Sequence, residues 1–226
     1  MSRLDEMAAA RRRSEAVARM RDLARSGPGG GGPAARSGPP VERCDICHTT
    51  LPDDHRHMLH LVDRRIICSC EACWALYSGN PEYRPTGMRT VWLDGFDCDE
   101  ETWSAFRVPI GLAFFMRSTV TGTVVAFYPS PAGATESELA LEAWAALVAR
   151  NPVLEHLDTD AEALVVNRLA DPPQYAIIPI DHCYALVGLI KSRWEGISGG
   201  GAIEQAVPEF FAGIQARAVN ASQALR

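Results

Sequence analysis

The alternation of apolar and polar positions predicts two β-hairpins. Residues 58–62 and 65–68 are short apolar stretches joined by Asp63 and Arg64, which is typical of a small, tight hairpin. Residues 106–116 and 121–128 are rich in Val, Ile, Phe and Thr and predict a second, longer hairpin.

Helical spacing and capping residues predict the elements that follow the second hairpin. Thr135 with Glu138 three residues later is a capping-box arrangement, and it predicts a helix that ends at Asn151 and Pro152. Beyond this helix the pattern predicts two strands, a helix capped by Asp181 and a last helix, at residues 163–167, 175–180, 181–194 and 202–218.

This order of elements predicts an α+β protein with a mostly antiparallel sheet. We expect the sheet and its helices to form a body, residues 81–226, and a small Cys-rich module to precede it at residues 41–80. Residues 1–40 form a basic tail, in which residues 3–25 could be an amphipathic helix and residues 26–40 are a Gly- and Pro-rich linker expected to be disordered.

The charge distribution argues against nucleic acid as the main partner. The chain of 226 residues has a net charge of −6, and because residues 1–40 carry eight Arg against four acidic residues, the remainder is at −10. An acidic body does not suit phosphate neutralisation. No apolar run approaches the roughly 20 residues that cross a bilayer, and no signal-type segment follows the N-terminal arginines, so we expect a cytoplasmic protein.

The chain has seven cysteines. Because the cytoplasm is reducing, we expect them to bind metal rather than to form disulfides. Two Cys-x-x-Cys pairs, Cys44 with Cys47 and Cys70 with Cys73, flank the first hairpin. Each pair brings two thiolates to one ion, and two pairs complete the tetrahedral shell of Zn²⁺. A ligand turn, a hairpin and a helix that starts with the second pair is a treble-clef or zinc-ribbon-like arrangement. In so small a unit, zinc would supply most of the folding free energy.

Cys68 is a fifth thiol in the same stretch, and it leaves alternatives open. Residues two apart on a strand share a face, so Cys68 is expected beside Cys70. It could be a buried thiol that supports the site or replace Cys70 as a ligand. As an additional ligand it would make the site redox-active or able to hold a cluster.

Two histidines before the hairpin, His55 and His57, are further candidates. Each could donate to a thiolate, ligate a second ion or lie on the surface, and His57 is retained among the candidate metal ligands. Four thiolates also suit iron, as in a rubredoxin-like electron carrier. Zinc is favoured because His48 and Trp74 stand where rubredoxin turns have glycine.

No catalytic constellation is recognised elsewhere in the sequence, so we expect a protein that is not an enzyme. A phosphate-binding Gly-rich motif is absent, and His182 and Cys183 are adjacent helical residues whose side chains diverge. Cys98 lies in an acidic run, residues 94–101, interpreted as a solvated loop whose carboxylates raise the thiol pKa.

The stretch of residues 44–77, with its two histidines before the hairpin and three cysteines after it, resembles an uncharacterised bacterial family, the one numbered 5947 among domains of unknown function. The likeness covers nearly all of residues 41–217 and extends through residues 109–115, 128–134, 165–168, 183–190 and 194–200. The resemblance implies a companion of nickel–iron hydrogenases encoded nearby, with no assigned reaction.

Two hypotheses follow for the function. The first is a zinc-stabilised, non-enzymatic accessory protein that binds a partner protein, such as a hydrogenase subunit or maturation factor. The second is an iron protein of rubredoxin type that passes electrons to or from a hydrogenase.

Overall fold

A computed structural model describes residues 41–194 and 201–220 of the chain. The described residues from Glu42 onward belong to one compact unit. The predicted N-terminal helix and linker lie outside the described residues. Among the described helices, none combines the length and the apolarity needed to cross a bilayer.

The Cys-rich stretch is built on a small antiparallel sheet of three strands, β1 (Arg56–His60), β2 (Arg65–Ser69) and β3 (Tyr83–Pro85), in the order β2-β1-β3. The first hairpin is therefore confirmed, but its turn takes up residues 61–64 rather than Asp63 and Arg64 alone. Arg64 has a φ of 49°, a left-handed conformation that reverses the chain tightly. Helix α1 (Glu71–Tyr77) follows β2 directly.

The larger sheet has seven strands: β4 (Val91–Trp92), β5 (Leu112–Ser118), β6 (Thr123–Ser130), β7 (Gly133–Ser137), β8 (Glu162–Asn167), β9 (Gln174–Pro179) and β10 (Val219–Asn220). Their order in the sheet is β10-β4-β9-β8-β5-β6-β7. All neighbouring pairs are antiparallel except β10 with β4, which are parallel.

Helices cover both faces of the large sheet. These helices are α2 (Glu100–Ala105), α3 (Leu141–Arg150), α4 (Ile180–Arg193) and α5 (Gly201–Arg217), with a short 3-10 helix at Pro152–His156. Adjacent residues of the central strand β5 show the two faces, because Phe114 packs in the cluster that includes α4 and α5, while Phe115 packs in the cluster that includes α2 and α3. The predicted α+β class with a mostly antiparallel sheet is confirmed, whereas the division at residue 80 stays a prediction.

The predicted capping box at Thr135 is wrong. Thr135 lies in β7 and pairs with Tyr128, and its hydroxyl donates to Ser130 Oγ at 2.9 Å instead of capping a helix. Gly133, with a φ of 119°, lets the chain reverse tightly, so that the sheet gains an edge strand where a helix was expected. Helix α3 begins only at Leu141.

The acidic run and the start of the second hairpin also differ from the prediction. Asp99 is the N-cap of α2 and accepts from the backbone N–H of Thr102 at 2.8 Å, so part of the expected solvated loop begins a helix. Phe106 ends that helix, and β5 starts at Leu112 rather than at residue 106.

Asp181 does not cap α4. The helix begins at Ile180 with Pro179 in the capping position, and Asp181 lies in the first turn, where its carboxylate contacts His57 of β1. The helix therefore reaches the small sheet through this side chain.

Candidate metal centre

The first cysteine pair lies in a tight loop before β1. A bridge between Arg43 and Thr50 closes this loop, and the N–H of Cys44 donates to the carbonyl of Thr49 at 2.9 Å. The N–H of His48 donates to the Cys44 carbonyl at 2.8 Å, and His48 has a φ of 64°. These bonds hold both cysteines of the pair in one tight turn.

The second cysteine pair lies where β2 passes into α1. Cys70 is the N-cap of α1, and its sulfur accepts from the N–H of Cys73 at 3.5 Å. The loop of the first pair is tied to this strand because Asp45 N–H donates to the carbonyl of Cys68 at 2.8 Å. Hairpin, loop and helix thus present two pairs of thiols to each other.

The four sulfurs of Cys44, Cys47, Cys70 and Cys73 all lie within 4.8 Å of one another. The Sγ atoms of Cys47 and Cys70 are 3.7 Å apart. A tetrahedron with metal–sulfur bonds of about 2.3 Å has edges of about 3.8 Å, so this separation suits a shared ion. Cys44 and Cys73 are buried, whereas Cys47 is exposed. The four thiols could bind a metal ion.

The two buried thiols differ in their electrostatics. Burial opposes ionisation of Cys44, but the backbone N–H groups of Cys47, Cys70 and Ile46 donate to its sulfur and lower its pKa to about 6. Burial and the neighbouring thiols raise the pKa of Cys73 to about 12. Backbone N–H donors therefore favour the thiolate form of Cys44 even without a metal. Ionising Cys73 next to that thiolate requires a nearby cation.

The structure places Cys68 and His57 outside this set of four. They form a second group with His55, in which one ligand atom from each residue lies within 4.8 Å of the others. Cys68 is the cross-strand neighbour of His57 in the β1-β2 pair. The alternative set in which Cys68 replaces Cys70 is not the one that the structure brings together.

Asp181 orients His57 from the body. The Nδ1 atom of His57 lies 2.9 Å from Oδ2 of Asp181, across 124 residues of sequence. The hydrogen bond to Asp181, and a further one to Cys68, raise the pKa of His57 to about 10 against the opposing effect of burial. Asp181 is thus a residue of this group that the sequence interpretation missed.

Elsewhere in the body, two thiols lie apart from these groups. Burial is the main cause that raises the pKa of Cys98 to about 11, and the carboxylates of Asp99 and Asp97 add to it while Arg168 and Arg150 oppose it. Cys183 is fully buried in the core against the large sheet, and burial raises its pKa well above the usual value.

Comparison with known proteins identifies one family. Residues 43–218 match the model of a family described as "Family of unknown function (DUF5947)". No curated protein and no solved structure matches the chain. The family match covers the four-cysteine group, the group of His55, His57 and Cys68, and most of the body.

Proposed function

The chain belongs to the DUF5947 family of unknown function, and we propose that it is a zinc-stabilised, non-enzymatic accessory protein that binds a partner protein. The observation that carries the zinc assignment is the convergence of four thiols within 4.8 Å at the junction of loop, hairpin and helix. Four thiolates around a closed tetrahedral position are the donor set of structural zinc.

The local core around the thiols is too small to hold this region without metal. It consists of the buried residues Cys44, Leu51 and Cys73, with partly buried neighbours Ile46, Cys68, Cys70 and Tyr77. Three of the four proposed ligands are thus themselves a large part of the apolar contacts. Zinc binding, on the order of 10 kcal/mol or more, would supply the free energy that this core lacks.

Partner binding is supported by apolar side chains that the fold leaves exposed near the centre. Leu76 on α1 is 75% exposed, and Met88, which follows β3, is 85% exposed. Met88 lies against Arg56, which also stacks over the ring of Trp74. The resemblance to companions of nickel–iron hydrogenases suggests that the partner is a hydrogenase subunit or a maturation factor.

Replacing Leu76 and Met88 together with Asp is expected to abolish co-purification with that partner, because two charges would enter an apolar contact. The measurement is affinity capture of the tagged chain from cells that contain the hydrogenase and its maturation proteins. Leu141→Asp is the matched control, since Leu141 is also exposed but begins α3 on the body. Unchanged capture of the hydrogenase proteins by the double variant would reject this surface.

An iron electron carrier is the second candidate, and two observations favour it. His48 adopts the left-handed conformation that glycine provides at this position of a rubredoxin turn. The first turn therefore has the backbone conformation of a rubredoxin turn although it lacks the glycine. Cys47 is also exposed, which would bring a metal-bound sulfur to the surface. The second pair, in contrast, is held at the start of a helix.

Protein purified without oxygen separates the two candidates. Zinc with no visible absorbance is the expected result and would exclude the electron carrier. A coloured protein with stoichiometric iron would exclude the structural zinc site.

A further inference from the structure

His55 carries a buried ring nitrogen that the described residues leave without a partner. Its side chain is only 5% exposed. Nδ1 lies 2.9 Å from the carbonyl of Pro52 and 3.6 Å from the carboxylate of Glu42, so Nδ1 bears the hydrogen and Nε2 the lone pair. Within the described chain, Nε2 has no hydrogen-bond partner. A buried acceptor of this kind needs a donor or a cation.

His57 shows the same arrangement of its two ring nitrogens. Nδ1 is engaged by Asp181, so the hydrogen bond that His57 makes to the thiol of Cys68 falls to Nε2. The ring centroids of His55 and His57 are 4.6 Å apart and the ring planes are inclined at 70°, so the two imidazoles meet edge to face. A histidine that binds a metal through one ring nitrogen usually donates the N–H of the other to a carboxylate or a carbonyl. This hydrogen bond fixes the tautomer and orients the ligating nitrogen toward the ion.

Cys68 completes the group from the neighbouring strand. It lies opposite His57 in the β1-β2 register. Its backbone is held by Asp45 on both sides, since Cys68 N–H donates to the Asp45 carboxylate at 2.7 Å and the Cys68 carbonyl accepts from Asp45 N–H. Two imidazoles and one thiol are therefore positioned by groups that are not ligands themselves.

We propose that His55, His57 and Cys68 form a second zinc site beside the four-cysteine centre, with the fourth position of the ion open to water or a small ligand. The donor atoms lie within 4.8 Å of one another, and zinc bonds of about 2.0–2.3 Å would draw them to about 3.5 Å apart. Two nitrogens and one sulfur suit a borderline ion such as Zn²⁺. His57 is 28% exposed, which leaves the open position accessible.

The same residues also resemble a cysteine–histidine–aspartate triad, in which His57 would activate Cys68 as a nucleophile. The metal site is favoured because a triad gives His55 no role, whereas an ion satisfies its buried Nε2. This inference does not depend on the proposed function, since either group of ligands could bind zinc without the other.

Zinc counting on the full chain tests the second site. We expect two zinc ions per wild-type chain, measured by native mass spectrometry after purification without oxygen. Cys68→Ser and His55→Ala should each retain one. Cys98→Ser and His156→Ala are the matched controls, because they change the same residue types away from the group, and both should retain two.

The outcomes separate this site from the four-cysteine centre. One zinc that is lost in Cys68→Ser but kept in Cys73→Ser would support the second site and reject the first. The proposal is overturned if the wild-type chain binds no zinc, or if Cys68→Ser and His55→Ala bind as many ions as the wild type.

Alkylation of the wild-type protein gives a test that needs no substitution. Saturating zinc should protect Cys68 from iodoacetamide, with peptide mapping as the measurement, whereas a chelator should expose it. Alkylation of Cys68 at the same rate with and without zinc would contradict ligation.

Asp181→Asn tests the role of Asp181 as a positioning residue. The variant should weaken the second zinc about 10- to 100-fold, because the neutral amide supports the imidazole less well. The affinity of the four-cysteine centre should not change. An unaltered second dissociation constant would show that the carboxylate does not support a metal ligand.

Discussion

Cys73→Ser is expected to release the zinc of the four-cysteine centre and to unfold the loop and helix that carry its ligands. Structural zinc contributes on the order of 10 kcal/mol or more, and this region has little apolar core to replace it. Amide protons of residues 42–51 and of α1 should therefore exchange at nearly unprotected rates. Hydrogen exchange read by mass spectrometry measures the effect.

The unfolding should stop at the hairpin. Leu59 of β1 is fully buried in the core that includes α4 and α5, and Ile66 of β2 packs against the same core. The body therefore holds β1 and β2 without metal. Cys98→Ser, which changes a thiol of the body, should leave the exchange pattern as in the wild type. Protection of α1 that is equal in Cys73→Ser and in the wild type would contradict a structural role for zinc.

Arg89→Ala is expected to destabilise the body by about 3 kcal/mol, since it leaves the Glu162 carboxylate buried without its cation. The Glu162 side chain is 4% exposed, and its two oxygens accept from Arg89 Nε at 2.6 Å and from a terminal nitrogen of Arg89 at 2.8 Å. The same guanidinium donates to the carbonyl of His156. This contact fastens the segment between β3 and β4 onto β8. Urea denaturation measures the loss.

Two further variants make the test of the Arg89 contact specific. Arg84→Ala removes an exposed ion pair with Asp158 and should cost less than about 1 kcal/mol. The double variant Arg89→Ala, Glu162→Gln should recover part of the stability, because it removes the uncompensated charge. Equal effects of Arg84→Ala and Arg89→Ala, or no recovery in the double variant, would contradict the interpretation.

Local patterns were sufficient to predict the sheet class and the four-cysteine set. The Cys-x-x-Cys spacing determines which thiols can share an ion, and the apolar stretches around residues 60 and 115 predict strands because their side chains alternate between two faces. Helix α1 follows from the same motif, since Cys70 caps it.

The errors arise where a contact distant in sequence decides the outcome. Thr135 and Glu138 satisfy the local rule for a helix start, but pairing with β6 makes the segment a strand. Asp181 satisfies the local rule for a cap, but its carboxylate is held by His57, 124 residues earlier. No spacing in the sequence relates these two residues. The contact of Asp181 with the group of His55, His57 and Cys68 could therefore be recognised only in the folded structure.

Zinc K-edge X-ray absorption on the Cys68→Ser variant reads out the ligands of the four-cysteine centre, because this variant keeps only that centre. We predict one zinc ion surrounded by four sulfur atoms at about 2.3 Å. A zinc shell that contains nitrogen or oxygen at about 2.0–2.1 Å, or a protein that holds iron or no metal, would contradict the account.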